Sequence, residues 1–236
     1  LSAHYFVSDA HIGGGNAVAE QRLFRFLESI RGNAQSLYIL GDLFEFWFEY
    51  SRAIPKTGFR ALAELAELAR TGTHIGYLKG NHDFWFQDFW RRELGAEAAD
   101  ELDVSLDGKR VFLAHGDKLD RALVPRVFRV LMRSQVNGWL YSLLHPDMGI
   151  GLARAVARLS RAESTKPSLV EDMAKFATDK LDCGFDIVIM GHSHVPELRQ
   201  LGRGAYLNVG DWVTHFTYGV IRDGVPSLHG FEDPTG

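Results

Sequence analysis

The sequence predicts an α/β fold interrupted by a helical insertion, and three observations carry that prediction. Short apolar runs alternate with stretches of helical periodicity along most of the 236 residues. Five of those runs end in similar polar clusters, namely Ser8-Asp9-Ala10-His11, Gly41-Asp42-Leu43-Phe44-Glu45, Gly80-Asn81-His82-Asp83, Ala114-His115-Gly116-Asp117 and Gly191-His192-Ser193-His194. Residues 118–182 break the rhythm with apolar and basic helical faces and no strand. A single Gly-Asp after a strand is usually a turn. Five such ends, each offering nitrogen or oxygen donors, point instead to one ligand site at the carboxyl ends of the strands.

In chain order, residues 4–9 form an apolar-rich first strand ending at Asp9. The Gly13-Gly14-Gly15 turn follows without the Lys-Ser or Lys-Thr of a nucleotide loop. Leu23, Phe24, Leu27 and Ile30 recur at helical spacing over 17–30. The run Leu37–Leu40 is too short and apolar for a helix and reads as a buried strand delivering Asp42. Phe44, Phe46, Trp47 and Phe48 then form an aromatic cluster, read first as core. A second helix is expected over 59–70, a third strand over 73–79, and a helix over 84–93 stopped by Gly95. Asp107-Gly108 and Arg222-Asp223-Gly224 signal hairpins. Strands are expected over 186–190, 197–201, 205–209, 217–221 and 227–231.

Composition narrows the class. With 46% hydrophobic and 24% charged residues, the chain has the make-up of a globular protein. Cys183 is the only cysteine, which excludes an internal disulfide and a cysteine-based zinc site. No apolar run reaches the roughly 18 residues of a membrane span, and the first residues lack the pattern of a secretory leader. A reducing, cytoplasmic location is therefore expected. The net charge of −4 hides a reversal: residues 118–166 hold nine basic and three acidic side chains, +6, so the remainder carries −10. Such a block suggests an anionic partner. Its arginines alternate with aliphatic faces instead of base-stacking aromatics, which argues against nucleic acid. Nothing calls for an obligate protein partner.

The donor set suits two metals better than one. On an extended segment, Asp9 and His11 would point to the same side and share an ion, as could His192 and His194, although each of these two could also reach a different ion. Asp42 has two oxygens and can bridge two ions, while Asn81 and His115 add an amide oxygen and an imidazole. Two ions about 3.5–4 Å apart would clamp a phosphate and lower the pKa of a water. Two dications against Asp9, Asp42 and one hydroxide leave a charge of about +1, which favours a phosphate ester or anhydride. A scaffold that had lost catalysis should lack several donors, and all seven are present.

Asp-x-His, Gly-Asp-x-x-Glu, Gly-Asn-His-Asp, His-Gly-Asp and Gly-His-Ser-His, in this order from Asp9 to His194, resemble the calcineurin-like metallophosphoesterase superfamily. The resemblance implies two facing mixed β-sheets flanked by helices, with residues 1–117 and 183–236 as the core. It also implies that Asp9, His11, Asp42 and His194 hold one metal and that Asp42, Asn81, His115 and His192 hold the other. His82 would approach the phosphate or leaving group, and Glu45 would orient its ring. The Gly-Asp-Leu-Phe-Glu-Phe-Trp run is similar to the UDP-2,3-diacylglucosamine diphosphatases of lipid A biosynthesis. That likeness implies Mn²⁺, a glycolipid nucleotide substrate cleaved to UMP and 2,3-diacylglucosamine 1-phosphate, and residues 118–182 as a cap. Leu140 and Leu144 would then meet acyl chains, and Asp120, Arg154, Arg158, Ser160, Arg161 and Lys166 the polar parts. Peripheral attachment to the inner face of a bacterial inner membrane would follow. The sequence departs from that group at His82, where arginine is usual, and in having only Asp120 as an acid soon after His-Gly-Asp. The other reading of the same metal chemistry is a phosphodiesterase for a cyclic nucleotide or single-stranded nucleic acid.

Overall fold

The computed structural model describes residues 3–96, 98–120, 134–145, 148–149, 151 and 167–232. Strand β1 (Ala3–Val7) leads to helix α1 (Ala17–Ser29), started by the Asn16 side chain, which accepts a hydrogen bond from the Ala19 amide at 3.1 Å. Next come β2 (Ala34–Ile39), the short β3 (Trp47–Phe48), α2 (Phe59–Arg70) and β4 (His74–Leu78). Then follow β5 (Asp83–Trp85), α3 (Phe89–Leu94), β6 (Ala98–Ala99), and the hairpin of β7 (Glu101–Leu106) and β8 (Lys109–Ala114). Helices α4 (Gln135–Ser142) and α5 (Pro167–Asp182) precede β9 (Ile187–Met190), β10 (Glu197–Leu201), β11 (Gly204–Asn208), β12 (Thr217–Arg222) and β13 (Val225–Gly230). Both expected hairpins turn through a left-handed pair, Asp107-Gly108 at φ 48° and 76° and Asp223-Gly224 at 52° and 74°.

The strands form two mixed sheets. One has the order β13-β12-β1-β2-β4-β6, with β1, β2, β4 and β6 parallel; the other runs β10-β11-β9-β8-β7, with β8, β9 and β11 parallel. Phe6, Leu40 and Leu78 of the first sheet pack on Val111, Leu113, Ile189 and Leu207 of the second to form the dry layer between them. Helices α1, α2 and α3 cover the outer face of the first sheet through Leu23, Leu27, Leu65 and Trp90. Helix α5 covers the second sheet with Leu169, Met173 and Ala177, so residues 167–182 pack on the core sheet. Because each sheet contains parallel strands, their carboxyl ends gather at one edge, and every motif is delivered there.

One local expectation is overturned. Residues 84–93 are not a single helix: the chain runs through β5, which pairs in parallel with β3, and turns helical only at Phe89. The buried Glu49 carboxylate imposes this, accepting hydrogen bonds from the Gln87 and Phe89 amides at 2.6 and 3.4 Å. The aromatic cluster also divides. Phe44 and Trp47 join the core, whereas Phe46 and Phe48 line a cavity of about 380 Å³ with Trp85, Asn137, Leu140, Tyr141 and Leu144. Helix α4 closes tightly on that wall: a Cβ on Gly138 would run into the Trp85 ring. Arg154, Arg158, Ser160, Arg161 and Lys166 lie outside the described residues.

Candidate metal centre

The carboxyl ends of β1, β2, β4, β8 and β9 bring all seven sequence-selected donors to one place. Ligand atoms of Asp9, His11 and His194 lie within 4.8 Å of one another, as do those of Asp42, His115 and His192, and those of His11, Asp42 and His82. Asn81 Oδ1 stands 3.2 Å from His115 Nε2, which is 3.4 Å from Asp42 Oδ2. Asp9 and Asp42 are buried to 0% and 1% exposure, so neither charge is met by bulk water.

The convergence does not come from an extended backbone. Asp9, His11, Asp42, His192 and His194 all have φ between 48° and 66°, the left-handed region. Each such residue costs about 1–3 kcal/mol unless its surroundings fix it, and here they do. The loops after β1 and β2 are zipped together by Asp9 N to Gly41 O at 3.1 Å, Ala10 N to Asp42 O at 2.9 Å and Ile12 N to Leu43 O at 2.9 Å. Glycine is required where the loops meet. A Cβ on Gly80 would strike the Asp42 carboxylate, and one on Gly191 would strike Ser8.

Asp83 is a hub that the motifs alone leave without a role. It accepts hydrogen bonds from the amides of Asp42, Gly80 and Phe44 at 2.9, 3.0 and 3.3 Å, and from the Tyr77 hydroxyl. Burial and then the Asp42 charge push its pKa up to about 7.

Electrostatics and unmet donors fit a cation. His11 Nε2 and His192 Nε2 are buried with no hydrogen-bond partner among the described residues, a costly state for ring nitrogens aimed into a cluster of acids. Burial pulls His115 down, but Asp42 and Asp9 outweigh it and raise its pKa to about 10. His194 is likewise raised, by Asp9 and Asp211 against burial. Burial and the neighbouring His115 push His192 down to about 4. The two carboxylates recruit protons where divalent ions would sit, so the donor set matches hard or borderline dications.

A family model for calcineurin-like phosphoesterases matches residues 5–196. The chain belongs to this family. It is 32% identical to a UDP-2,3-diacylglucosamine hydrolase of Porphyromonas gingivalis, over 97% of each chain. It is 30% identical to hydrolases of that name from Shewanella baltica, over 88% of each chain, and from Neisseria meningitidis, over 88% of this chain and 89% of that one. Among solved structures, an archaeal phosphodiesterase superposes with a TM-score of 0.50 at 14% identity, covering 96% of this chain and 98% of that one. A Vps29 variant of Entamoeba histolytica does so with 0.51 at 16%, covering 96% and 97%. Both share the fold of two facing mixed sheets. The chain is therefore a hydrolase of the phosphoesterase class, and its fold implies divalent metal.

Around the donors of this phosphoesterase, two placements differ from the sequence-based expectation. His82 Nδ1 is held at 3.1 Å by the backbone carbonyl of Glu45, not by its carboxylate. The carboxylate lies 3.5 Å from His11 Nδ1 instead. Asp211, which sequence reasoning missed, is 1% exposed with Oδ2 3.7 Å from His194 Nδ1. It had a legible signal: Gly210-Asp211 follows the β11 strand just as Gly41-Asp42 follows β2. Asp120 closes the single turn 117–119 and is half-buried, its amide donating to Asp117 O at 3.2 Å. Leu140 and Leu144 line the apolar cavity.

Proposed function

We propose that the chain hydrolyses the pyrophosphate of UDP-2,3-diacylglucosamine to UMP and 2,3-diacylglucosamine 1-phosphate, using two divalent ions, in this reading Mn²⁺. The observation that carries the substrate is adjacency. The segments that deliver Asp42 and His82 run on within a few residues into Phe46, Phe48 and Trp85, which line the apolar cavity. A soluble diphosphate would need the first feature and not the second. A diacylated one needs both, because each buried methylene is worth about 0.8 kcal/mol only where an apolar wall receives it. Similarity to the named hydrolases over nearly the whole chain supports the same reading.

In this proposal Asp9, His11, Asp42 and His194 hold one ion, and Asp42, Asn81, His115 and His192 the other. When bound, the ions supply positive charge for the diphosphate and acidify a water. The chain does the rest. With Nδ1–H donated to the Glu45 carbonyl, His82 presents Nε2 to the phosphoryl or leaving oxygen, to which the protonated ring donates Nε2–H. Leu140, Leu144 and the cavity aromatics seat an acyl chain and exclude water. Asp120, Arg154, Arg158, Ser160, Arg161 and Lys166 contact the polar parts, and the cap is the part of 118–182 that precedes α5.

No described helix is long and apolar enough to cross a membrane. Val136, Trp139 and Leu143 of the α4 region are 62–67% exposed, which supports peripheral contact with an anionic membrane. Sedimentation with anionic vesicles, lost in Trp139→Ser, is the expected result.

The decisive assay compares UDP-2,3-diacylglucosamine of stepwise shorter chains with a simple aryl phosphodiester. The glycolipid should be preferred, kcat/KM should fall as the chains are shortened, and Leu140→Asp should cost roughly 10–100-fold on the long-chain substrate alone. Equal efficiency on all substrates, with Leu140→Asp silent, would sink the glycolipid reading in favour of a general phosphodiesterase.

A further inference from the structure

We propose that Glu45 and Asp211 are positioning carboxylates for His11 and His194, fixing the tautomer in which each ring offers Nε2 to the same metal ion. The inference rests on the two-metal reading above and concerns only one of its two ions.

A neutral imidazole gives a metal one nitrogen, and whatever its other nitrogen faces decides which one carries the proton. His11 Nε2 lies 3.9 Å from Asp9 Oδ1 while its Nδ1 lies 3.5 Å from Glu45 Oε2. His194 repeats the arrangement, with Nε2 3.2 Å from Asp9 Oδ1 and Nδ1 3.7 Å from Asp211 Oδ2. The two rings stack at 5.5 Å and 21°. Both are thus strung between one shared inner carboxylate and an outer carboxylate of their own. The outer separations are longer than a normal hydrogen bond. They still set the electrostatic choice: Nδ1–H towards the outer acid, and the Nε2 lone pair towards the ion.

The outer carboxylates are held for this purpose by their own surroundings. Asp211 Oδ1 accepts from the amides of Val213, Thr214 and His215 at 2.8, 2.5 and 3.2 Å, which turns Oδ2 towards His194 and the His215 ring at 2.8 Å. Glu45 is 3% exposed, and its amide is tied to Ile12 O at 3.0 Å, one residue beyond His11. By contrast, His115 Nδ1 is fixed by the Leu40 carbonyl at 2.7 Å and His82 Nδ1 by the Glu45 carbonyl, both neutral dipoles of the backbone. Side-chain substitution can therefore reach His11 and His194 while leaving in place the backbone contacts that hold those two rings.

The test uses Glu45→Gln and Asp211→Asn, which keep shape but place an amide where the acid was. An amide that donates to Nδ1 drives the proton onto Nε2, the nitrogen the ion needs. The full-length protein is stripped of metal and dialysed against Mn²⁺, and bound metal is measured across concentrations. Thermal unfolding of the stripped protein checks that each variant folds. Wild type should bind two ions, and each variant should bind one as before and the other roughly 10–100-fold more weakly. His215→Ala should still bind both ions like wild type. Two ions bound by Glu45→Gln and Asp211→Asn with unchanged affinity would overturn the inference alone. The same loss in His215→Ala would overturn the role of Asp211, assigning it to the 211–215 turn. Fewer than two ions on wild type would overturn the two-metal reading itself.

Discussion

The two ends of the parallel strands use the same residue types in opposite ways. At the amino end, His4 of β1 has both ring nitrogens engaged, Nδ1 2.7 Å from Ser36 Oγ and Nε2 3.4 Å from Asp107 Oδ1. Asp107 also accepts from the Gly224 amide at 3.3 Å, tying the two hairpins of the two sheets together. This Ser-His-Asp set has the composition of a hydrolytic triad and none of its access, because His4 and Ser36 are buried in the strands. At the carboxyl end, His11 and His192 are as buried, yet each leaves Nε2 without a hydrogen bond among the described residues, and five donors sit on left-handed backbone. Unmet donors separate the site from the scaffold; residue type does not, and left-handed backbone alone does not either, since Asp107 shares it at φ 48°.

The largest effect that could break this contrast belongs to Asp42. Asp42→Asn keeps an acceptor for the His82 amide, now 2.8 Å from Oδ1, but removes the charge that faces His115 and would bridge two ions. Metal content should fall below one ion per chain and turnover to background. A variant that keeps two ions and measurable turnover would show that Asp42 is scaffold, as Asp107 is.

His82 separates holding metal from using it. It lies among the donors, but burial holds its pKa down against the Asp42 charge, and its Nδ1 is spent on the Glu45 carbonyl. His82→Ala should retain two ions and lose roughly 10²–10⁴-fold in kcat, the range for a group acting on the transition state. An unchanged kcat would move His82 to the scaffold side; loss of metal would make it a ligand.

How much of this was legible in the sequence follows from what each feature depends on. The five motifs were readable because each donor pair is set by two to four adjacent residues at the end of an apolar run. For Asp9 and His11, a shared face of an extended segment is not what brings the pair together. Their approach depends on pairing with the loop after β2, about thirty residues on, as the bond from Asp9 N to Gly41 O shows. Glu45 was legible as a site residue, but its partner was not, since backbone and side chain of one residue hold two different rings. Asp211 was missed because its signal lay beyond the last motif. The split of 84–93 into β5 and α3 depends on Glu49, forty residues away, capturing the Phe89 amide. No local propensity encodes that.

The smallest effect tests the amino end. His4→Ala would strip the buried Ser36 hydroxyl of its 2.7 Å partner and cut the bridge from β1 to the Asp107 turn. Leaving a buried hydroxyl unsatisfied costs about 1–3 kcal/mol, and in a chain of this size each kcal/mol lowers Tm by about 2–4 °C. Ser36 sits at the start of β2 and Asp42 beyond its end, so the two networks are joined by a rigid strand and by no shared side chain. The loss should therefore appear in thermal unfolding of metal-loaded protein, with two ions still bound and kcat within about twofold of wild type, since sites this far apart without shared partners act nearly additively. If instead His4→Ala lowered kcat tenfold at a temperature where the variant is fully folded, the amino end would be coupled to the chemistry. The contrast between a satisfied end and an unsatisfied one would then fail as a way of finding the site.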